Sequence, residues 1–395
     1  MLVNFKNRGR IWTVLGNAMS MFLPSAVNIL TSAIVIRMLV PEWWGQITVL
    51  QLYMYIGTQF CAWGNKDALM KLFSENPSKL KSLWMESFSG RLFLLIPAVI
   101  GSYFVAPNFI SVLYLSSWII LRYFTQAFEA PILFTRNFKV NIVAELIGLI
   151  ATIFLLIIFK NILSFNNVLL VITIGYFLKN LVQTFHYRTF FSFEFSFQPN
   201  YKKLAFLLPF MMLGFAGVMQ QKSDMICVVW LSTKIEVAQY QVFSSFLIFM
   251  QSFPGLVAGP FVKNLYRLPK SSYPKIRKYF IGIGLIVSSL GIVLTYFVVT
   301  IVYHFELSFT LYLLGFLYGF LTYFYLLEIY LLFKNNKQQQ VMMISVFSIV
   351  LNFILCFIFI PFMKIQGAVL ANVLTQIAMF VLYKFYLLKN QTVNT

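Results

Sequence analysis

Charge is scarce in this chain, and acidic charge is scarcer still. Only 10% of the 395 residues are charged, with 11 acids against 30 Lys and Arg, while 60% are hydrophobic. A soluble domain is about one-quarter charged and about half apolar, so this composition excludes a water-soluble globule and points to lipid as the solvent. Cysteine is nearly absent too: Cys61, Cys227 and Cys356 stand far apart in apolar runs, which excludes a disulfide framework, a CxxC pair and zinc-ligand spacing. Two histidines, His186 and His304, make no His-based metal site. No GxxxxGK[ST] occurs, so the chain has no phosphate-cradling loop with which to hydrolyse ATP. These absences leave a membrane protein without metal, cofactor or nucleotide, in which a coupling proton or sodium ion remains compatible.

In a bilayer the backbone must satisfy its own hydrogen bonds, as helices or as a closed barrel. The apolar runs are about 20 residues long and do not alternate, which selects helices. They predict an all-α polytopic protein with twelve spans, at 14–37, 45–64, 88–106, 109–131, 138–159, 167–187, 204–231, 239–262, 279–303, 307–333, 341–361 and 366–388. The basic start MLVNFKNRGRIW runs into the first span without a small-residue cleavage site, which predicts a retained helix.

The net charge of +19 would suggest nucleic acid in a soluble protein. Here its distribution explains it instead. With the N-terminus inside, the outside connections carry only Arg37, Lys160, Lys234 and Lys364, and nearly all other Lys and Arg fall in inside loops, chiefly 65–87, 188–203 and 263–278. This positive-inside bias predicts both termini in the cytoplasm, with basic loops against anionic lipid.

The first and seventh spans resemble one another. FLPSAVNILTSAIVIR and LLPFMMLGFAGVMQQK each place Pro (Pro24, Pro209) thirteen positions before a basic residue (Arg37, Lys222), and Gly45-Gln46 and Tyr240-Gln241 open the spans that follow. The pattern predicts a repeat: a six-helix lobe at 1–190, an inter-lobe loop at 191–203 and a second six-helix lobe at 204–395, related by an axis along the membrane normal, around a central cavity.

Ionisable groups inside spans are costly and face a bundle interior or a wet cavity. Arg122, Gln126 and Glu129 share one helical face; Asn141, Glu145, Gly148 and Thr152 share a second; Lys179, Gln183 and His186 share a third. At 1.5 Å per residue, Arg122 and Lys179 lie roughly 20 Å from the outer surface, level with Glu145. Two readings stand: a cationic patch for a phosphate group with Glu145 tuning it, or an Arg122–Glu145 pair that neutralises itself. In the second half Pro209, Leu213, Ala216, Gln220 and Asp224 share a face of the seventh span. Arg37 and Lys222 point away from the polar faces and either snorkel or join the substrate-binding set. Glu328 is a lone carboxylate in the tenth span, and it and Asp224 are candidate proton or cation sites. Tyr53, Tyr55, Tyr318 and Tyr325 either stack on sugar rings or pack the bundle.

Asp224-Met225-Ile226, then Ser232, then Val237-Ala238-Gln239-Tyr240 resembles the seventh-to-eighth span connection of polysaccharide flippases of the O-antigen and capsule type, members of the MOP superfamily. Their pattern has Val-Gly-x-Tyr, where this chain has Ala238. Leu39-Val40-Pro41-Glu42-Trp43-Trp44-Gly45 is similar to the family's first outside loop. The resemblance implies carriage of an undecaprenyl-diphosphate-linked oligosaccharide from the inner to the outer leaflet of the bacterial cytoplasmic membrane by alternating access, alongside polysaccharide polymerase machinery and without nucleic acid. It would make Arg122, Lys179, Gln126, Arg37 and Lys222 the substrate-binding residues and Asp224, Glu145, Glu129 and Glu328 the cavity or coupling carboxylates. A cation-coupled multidrug antiporter of the same superfamily is the alternative. A glycan-processing ligase or polymerase is disfavoured by outside loops too short to hold catalytic groups.

Overall fold

The computed structural model describes residues 8–192, 201–258, 272–335 and 337–392. Its helices are α1 (Arg8–Met38), α2 (Pro41–Ala62), α3 (Asn65–Glu75), α4 (Leu80–Ser89), α5 (Leu95–Ser102), α6 (Phe109–Thr135), α7 (Phe138–Ile158), α8 (Phe165–His186), α9 (Tyr201–Leu231), α10 (Lys234–Ala258), α11 (Tyr273–Phe297), α12 (Phe309–Lys334), α13 (Gln338–Met363) and α14 (Ile365–Thr392). Most of the expected linker 191–203 and of the loop 263–278 lies outside the described residues, as do the side chains of Pro209 and Leu213.

Each of the twelve expected spans has a helical counterpart, and eight segments among the described residues are both long and apolar enough to cross a membrane. The remaining counterparts are α2, α6, α9 and α10. The shortest of these has 22 residues, roughly 33 Å at 1.5 Å per residue, which still crosses a hydrocarbon core of about 30 Å. The third expected span, 88–106, needs correction. The loop expected at 65–87 is itself largely helical, as α3 and α4, and the apolar segment runs Pro77–Ser102. Both helices are amphipathic. Ala68, Leu69, Phe73, Trp84, Met85 and Phe88 are buried while Lys66, Lys71, Lys81 and Glu86 are exposed, so mean hydropathy hides the apolar stripe. Arg91, counted among the inside basic residues, is only 3% exposed. It donates to Ser87 O at 2.8 Å and, at the end of α2, to Cys61 O at 3.2 Å and Ala62 O at 2.7 Å, where the negative end of the helix dipole offsets its charge.

Local rules set the helix ends. Pro41 opens α2, where its missing N–H costs nothing. Asn108, Ser164 and Ser308 cap α6, α8 and α12 through their side-chain oxygens. Thr233 and Glu236 form a reciprocal capping box on α10: Thr233 N donates to Glu236 Oε2 at 2.9 Å and Glu236 N to Thr233 Oγ1 at 3.4 Å.

The chain forms two compact units, Met1–Val218 and Met219–Thr395, divided within α9. In the first, α2 packs on α6, α5 on α6, α6 on α8, α7 on α8 and α1 on α7; in the second, α10 packs on α12, α11 on α12, α12 on α14 and α13 on α14, and Ser223 of α9 bonds Asn352 of α13. The same pairing order thus appears twice. The proline anchors of the proposed repeat differ in distance from the helix end that follows: Pro24 lies 14 residues before the end of α1 at Met38 (38 − 24), and position 209 lies 22 before the end of α9 at Leu231 (231 − 209).

Two packing devices hold the first unit's site in place. Along the α6–α8 seam, Ser111–Asn166 (3.4 Å), Trp118–Thr173 (2.7 Å) and Thr125–Asn180 (3.4 Å) pair in parallel register, each seven residues beyond the last. A seven-residue step returns to the same face of the helix every two turns. Where α7 crosses α8, Gly148 meets Gly175: a Cβ on Gly148 would stand 2.9 Å from Gly175 O, and one on Gly175 3.1 Å from Gly148 O. Small residues permit this close approach.

Candidate functional site

The first unit holds a cavity of about 70 Å3, with α1, α2, α6, α7 and α8 each contributing to its wall. That is room for a few water molecules. Arg122, Glu145 and Lys179 all line it. The four-residue steps along α7 and α8, together with the Gly148–Gly175 crossing, bring Glu145 and Lys179 face to face. The Lys179 ammonium donates to Glu145 Oε1, with both side chains under one-tenth exposed. Glu145 is therefore paired with Lys179, in place of the Arg122–Glu145 pair that depth alone suggested. The Arg122 guanidinium instead lies over the Tyr55 ring, 4.3 Å from its centroid, a cation–π contact. Its Nε is buried with no hydrogen-bond partner, an unmet donor at the wall of the cavity. One ion pair plus one further guanidinium leaves this wall with a net charge of +1.

The polar stripe continues along the α7–α8 seam. Gln183 donates to Asn141 Oδ1 at 2.9 Å, Asn141 donates to Ser20 Oγ at 2.7 Å, and Asn137 meets His186 at 3.0 Å. On α1 and α2, Gln51 donates to Asn28 Oδ1 at 3.3 Å. Gln126, one turn beyond Arg122, and Gln183 each hold a buried, unpartnered Oε1.

The second unit carries a polar cluster with, among the described residues, no cation in its hydrogen-bonded core. The Asp224 carboxylate is 8% exposed. It accepts from Tyr240 Oη, from Asn372 Nδ2 at 2.7 Å and from Met225 N at 2.7 Å. Asn352 donates to Asn372 Oδ1 at 2.8 Å and accepts from Ser223 Oγ at 2.8 Å. A cavity of about 20 Å3 adjoins this network, lined in part by Gln220, Ser223, Asn352 and Asn372. Tyr318 and Gln376 line it as well; Tyr318 donates to Gln251 at 2.9 Å and Tyr325 donates to Gln376. Neutral donors stabilise a buried carboxylate without cancelling its charge.

Other expected site residues lie elsewhere. Arg37 is exposed in the last turn of α1 and Lys222 is half-buried in α9; neither lines either cavity. Glu129 is half-buried on α6. Glu328 is not alone: it pairs with Arg277 of α11 at 3.2 Å, a partner 51 positions away that no local pattern reveals. Tyr53 donates to the Ala98 carbonyl at 2.8 Å and so packs the bundle. Asn352, Asn372 and Gln376 escaped the sequence reading, although Ser348–Asn352 and Asn372–Gln376 repeat the four-residue step that marked the first half.

No protein-family profile and no curated protein sequence matches the chain. Solved structures do. An inward-facing multidrug resistance MATE family transporter of the MOP superfamily matches with a TM-score of 0.65 at 11% identity, over 97% of this chain and 100% of its own. The fold is that of MOP-superfamily transporters. The lipid II flippase MurJ, in an inward closed conformation, matches with a TM-score of 0.63 at 14% identity, over 95% of this chain and 87% of its own. The MATE multidrug transporter DinF-BH matches at 0.57 and 13%, over 96% and 94%. The structural neighbours are thus transporters, among them flippase and drug-efflux members.

Proposed function

We propose that the chain is a flippase that carries an undecaprenyl-diphosphate-linked oligosaccharide from the inner to the outer leaflet of the bacterial cytoplasmic membrane, by alternating access and with both termini cytoplasmic. The observation that carries this reading is the first unit's cavity, whose lining includes both Lys179 and an Arg122 whose Nε has no hydrogen-bond partner. A diphosphate offers the acceptor oxygens that such a guanidinium lacks, and charge-assisted bonds to phosphate are about twice as strong as neutral ones. The neighbour MurJ is a flippase of lipid II, which supports an amphiphilic substrate. Residues 1–190 and 204–395 would act as the two lobes, handing the product to polysaccharide polymerase machinery.

The second reading is a cation-coupled antiporter, favoured by Asp224, a buried carboxylate held by neutral donors. It also serves the first reading, with Asp224 as the proton or cation site that drives the cycle. Arg37 and Lys222 remain candidates for the substrate's path, and Glu129 and Glu328 for charges along it.

The test is flipping of a fluorescent undecaprenyl-diphosphate oligosaccharide in proteoliposomes, with wild type and Arg122→Ala. Protein-dependent flipping that the substitution abolishes is expected. Flipping retained in Arg122→Ala would discard the cationic site. No flipping by wild type, with drug efflux present, would select the antiporter.

A further inference from the structure

In the first unit's cavity the lysine that faces the proposed diphosphate is already committed. Lys179 donates to Glu145, and both are buried. An anion that takes Lys179 therefore takes it from a carboxylate. We propose that anion binding at this site is linked to proton uptake: the diphosphate displaces Glu145 from Lys179, and Glu145 accepts a proton from solvent. This inference rests on the diphosphate reading of the site above.

Charge counting supports it. From α6 the cavity receives Arg122, from α7 Glu145 and from α8 Lys179; Tyr55 of α2 and Tyr176 of α8 add neutral phenols, and α1 contributes the neutral Asn28 and Thr31. The empty site thus holds two cations and one carboxylate. The substrate's diphosphate, esterified at one end to the lipid and at the other to the sugar, brings two negative charges, leaving the loaded site at −1. A carboxylate beside new negative charge, and stripped of its cation, binds a proton. Linkage then requires that ligand affinity depend on pH through that proton.

The geometry leaves Glu145 few substitutes for Lys179. Arg122 is held over Tyr55, and on the α8 side Gly175 presents a backbone carbonyl to α7, an acceptor that gives a carboxylate nothing. Protonated Glu145 would instead become a donor. Carrying the proton also makes the loaded site one charge less negative as it crosses a low-dielectric region, where each unpaired charge is costly.

The experiment is titration calorimetry of the purified full chain with farnesyl diphosphate, a short polyprenyl diphosphate whose free end gives it one negative charge more than the diester substrate, at about pH 8, where the ligand itself is almost fully ionised. Two buffers of different ionisation enthalpy separate binding heat from proton transfer. The expected result is binding with uptake of about one proton per ligand in wild type, and binding with about none in Glu145→Gln. Wild-type binding without proton uptake overturns the inference and keeps the diphosphate site. Equal uptake in wild type and Glu145→Gln also overturns it, since the acceptor is then another group. Absence of binding removes the diphosphate site and the inference together. Should Glu145→Gln not fold, Lys179→Met decides: uptake undiminished in that variant refutes displacement of Glu145 from Lys179.

Discussion

Removing one member of the Lys179–Glu145 pair is predicted to cost far more than removing both. The two side chains are 8% and 6% exposed, so either left alone is a charge in a poorly hydrated seam. Breaking a buried pair on one side costs about 3–5 kcal/mol, whereas replacing both partners by neutral groups of similar volume is often near neutral. Lys179→Met and Glu145→Gln should each destabilise the protein by about 3 kcal/mol or somewhat less, since cavity water relieves part of the charge. The double variant should lose no more than about 1 kcal/mol, giving a coupling energy of about 4–5 kcal/mol. The assay is unfolding by sodium dodecyl sulfate titrated into mixed micelles, followed by tryptophan fluorescence. Additive single and double effects, with coupling under about 0.5 kcal/mol, would refute the pairing.

Three further outcomes are expected. Gly175→Ala should destabilise by about 1–3 kcal/mol through overpacking against Gly148 O and Thr152, while Gly282→Ala, whose Cβ meets nothing within 4 Å, should be neutral or mildly stabilising; equal melting temperatures for the two would contradict the close helix crossing. Glu236 is held below the usual carboxylate range. Burial pushes it up, but the Lys364 ammonium at 2.8 Å and the Thr233 N–H outweigh that, so its contribution is present above the ordinary glutamate value and is lost as pH falls through the lowered one. The melting-temperature gap between wild type and Glu236→Gln should therefore close on acidification from about pH 6 towards pH 3; a gap constant with pH would count against the capping box and ion pair. Asp224→Asn should preserve expression and folding but remove the dependence of transport on pH or sodium; an unchanged ion dependence in proteoliposomes would place coupling elsewhere.

Some of this was legible in residue order alone. Solvent preference is a local property, summed over about twenty residues, and so the spans could be read directly. The polar stripes on α6, α7 and α8 were equally visible, because a helix returns to the same face every three to four residues. The reading failed at α3 and α4, where charged and apolar faces of one amphipathic helix average to an unremarkable hydropathy, and it counted buried Arg91 among the basic residues of the inside face. Depth put Arg122, Glu145 and Lys179 at one level but could not say which cation met the carboxylate. That depends on how each helix is rotated about its axis, and one residue turns the face by about 100°. The α6–α8 register and the Gly148–Gly175 crossing decide it, delivering Lys179 to Glu145 and leaving Arg122 over Tyr55. The Asp224–Tyr240–Asn372 cluster likewise joins three helices up to 148 positions apart, and Glu328 found Arg277 only in the fold. Composition and periodicity determined that the chain is a helical membrane protein with polar faces; tertiary packing decided which polar groups meet, because those contacts depend on helix rotation and register set by distant parts of the chain.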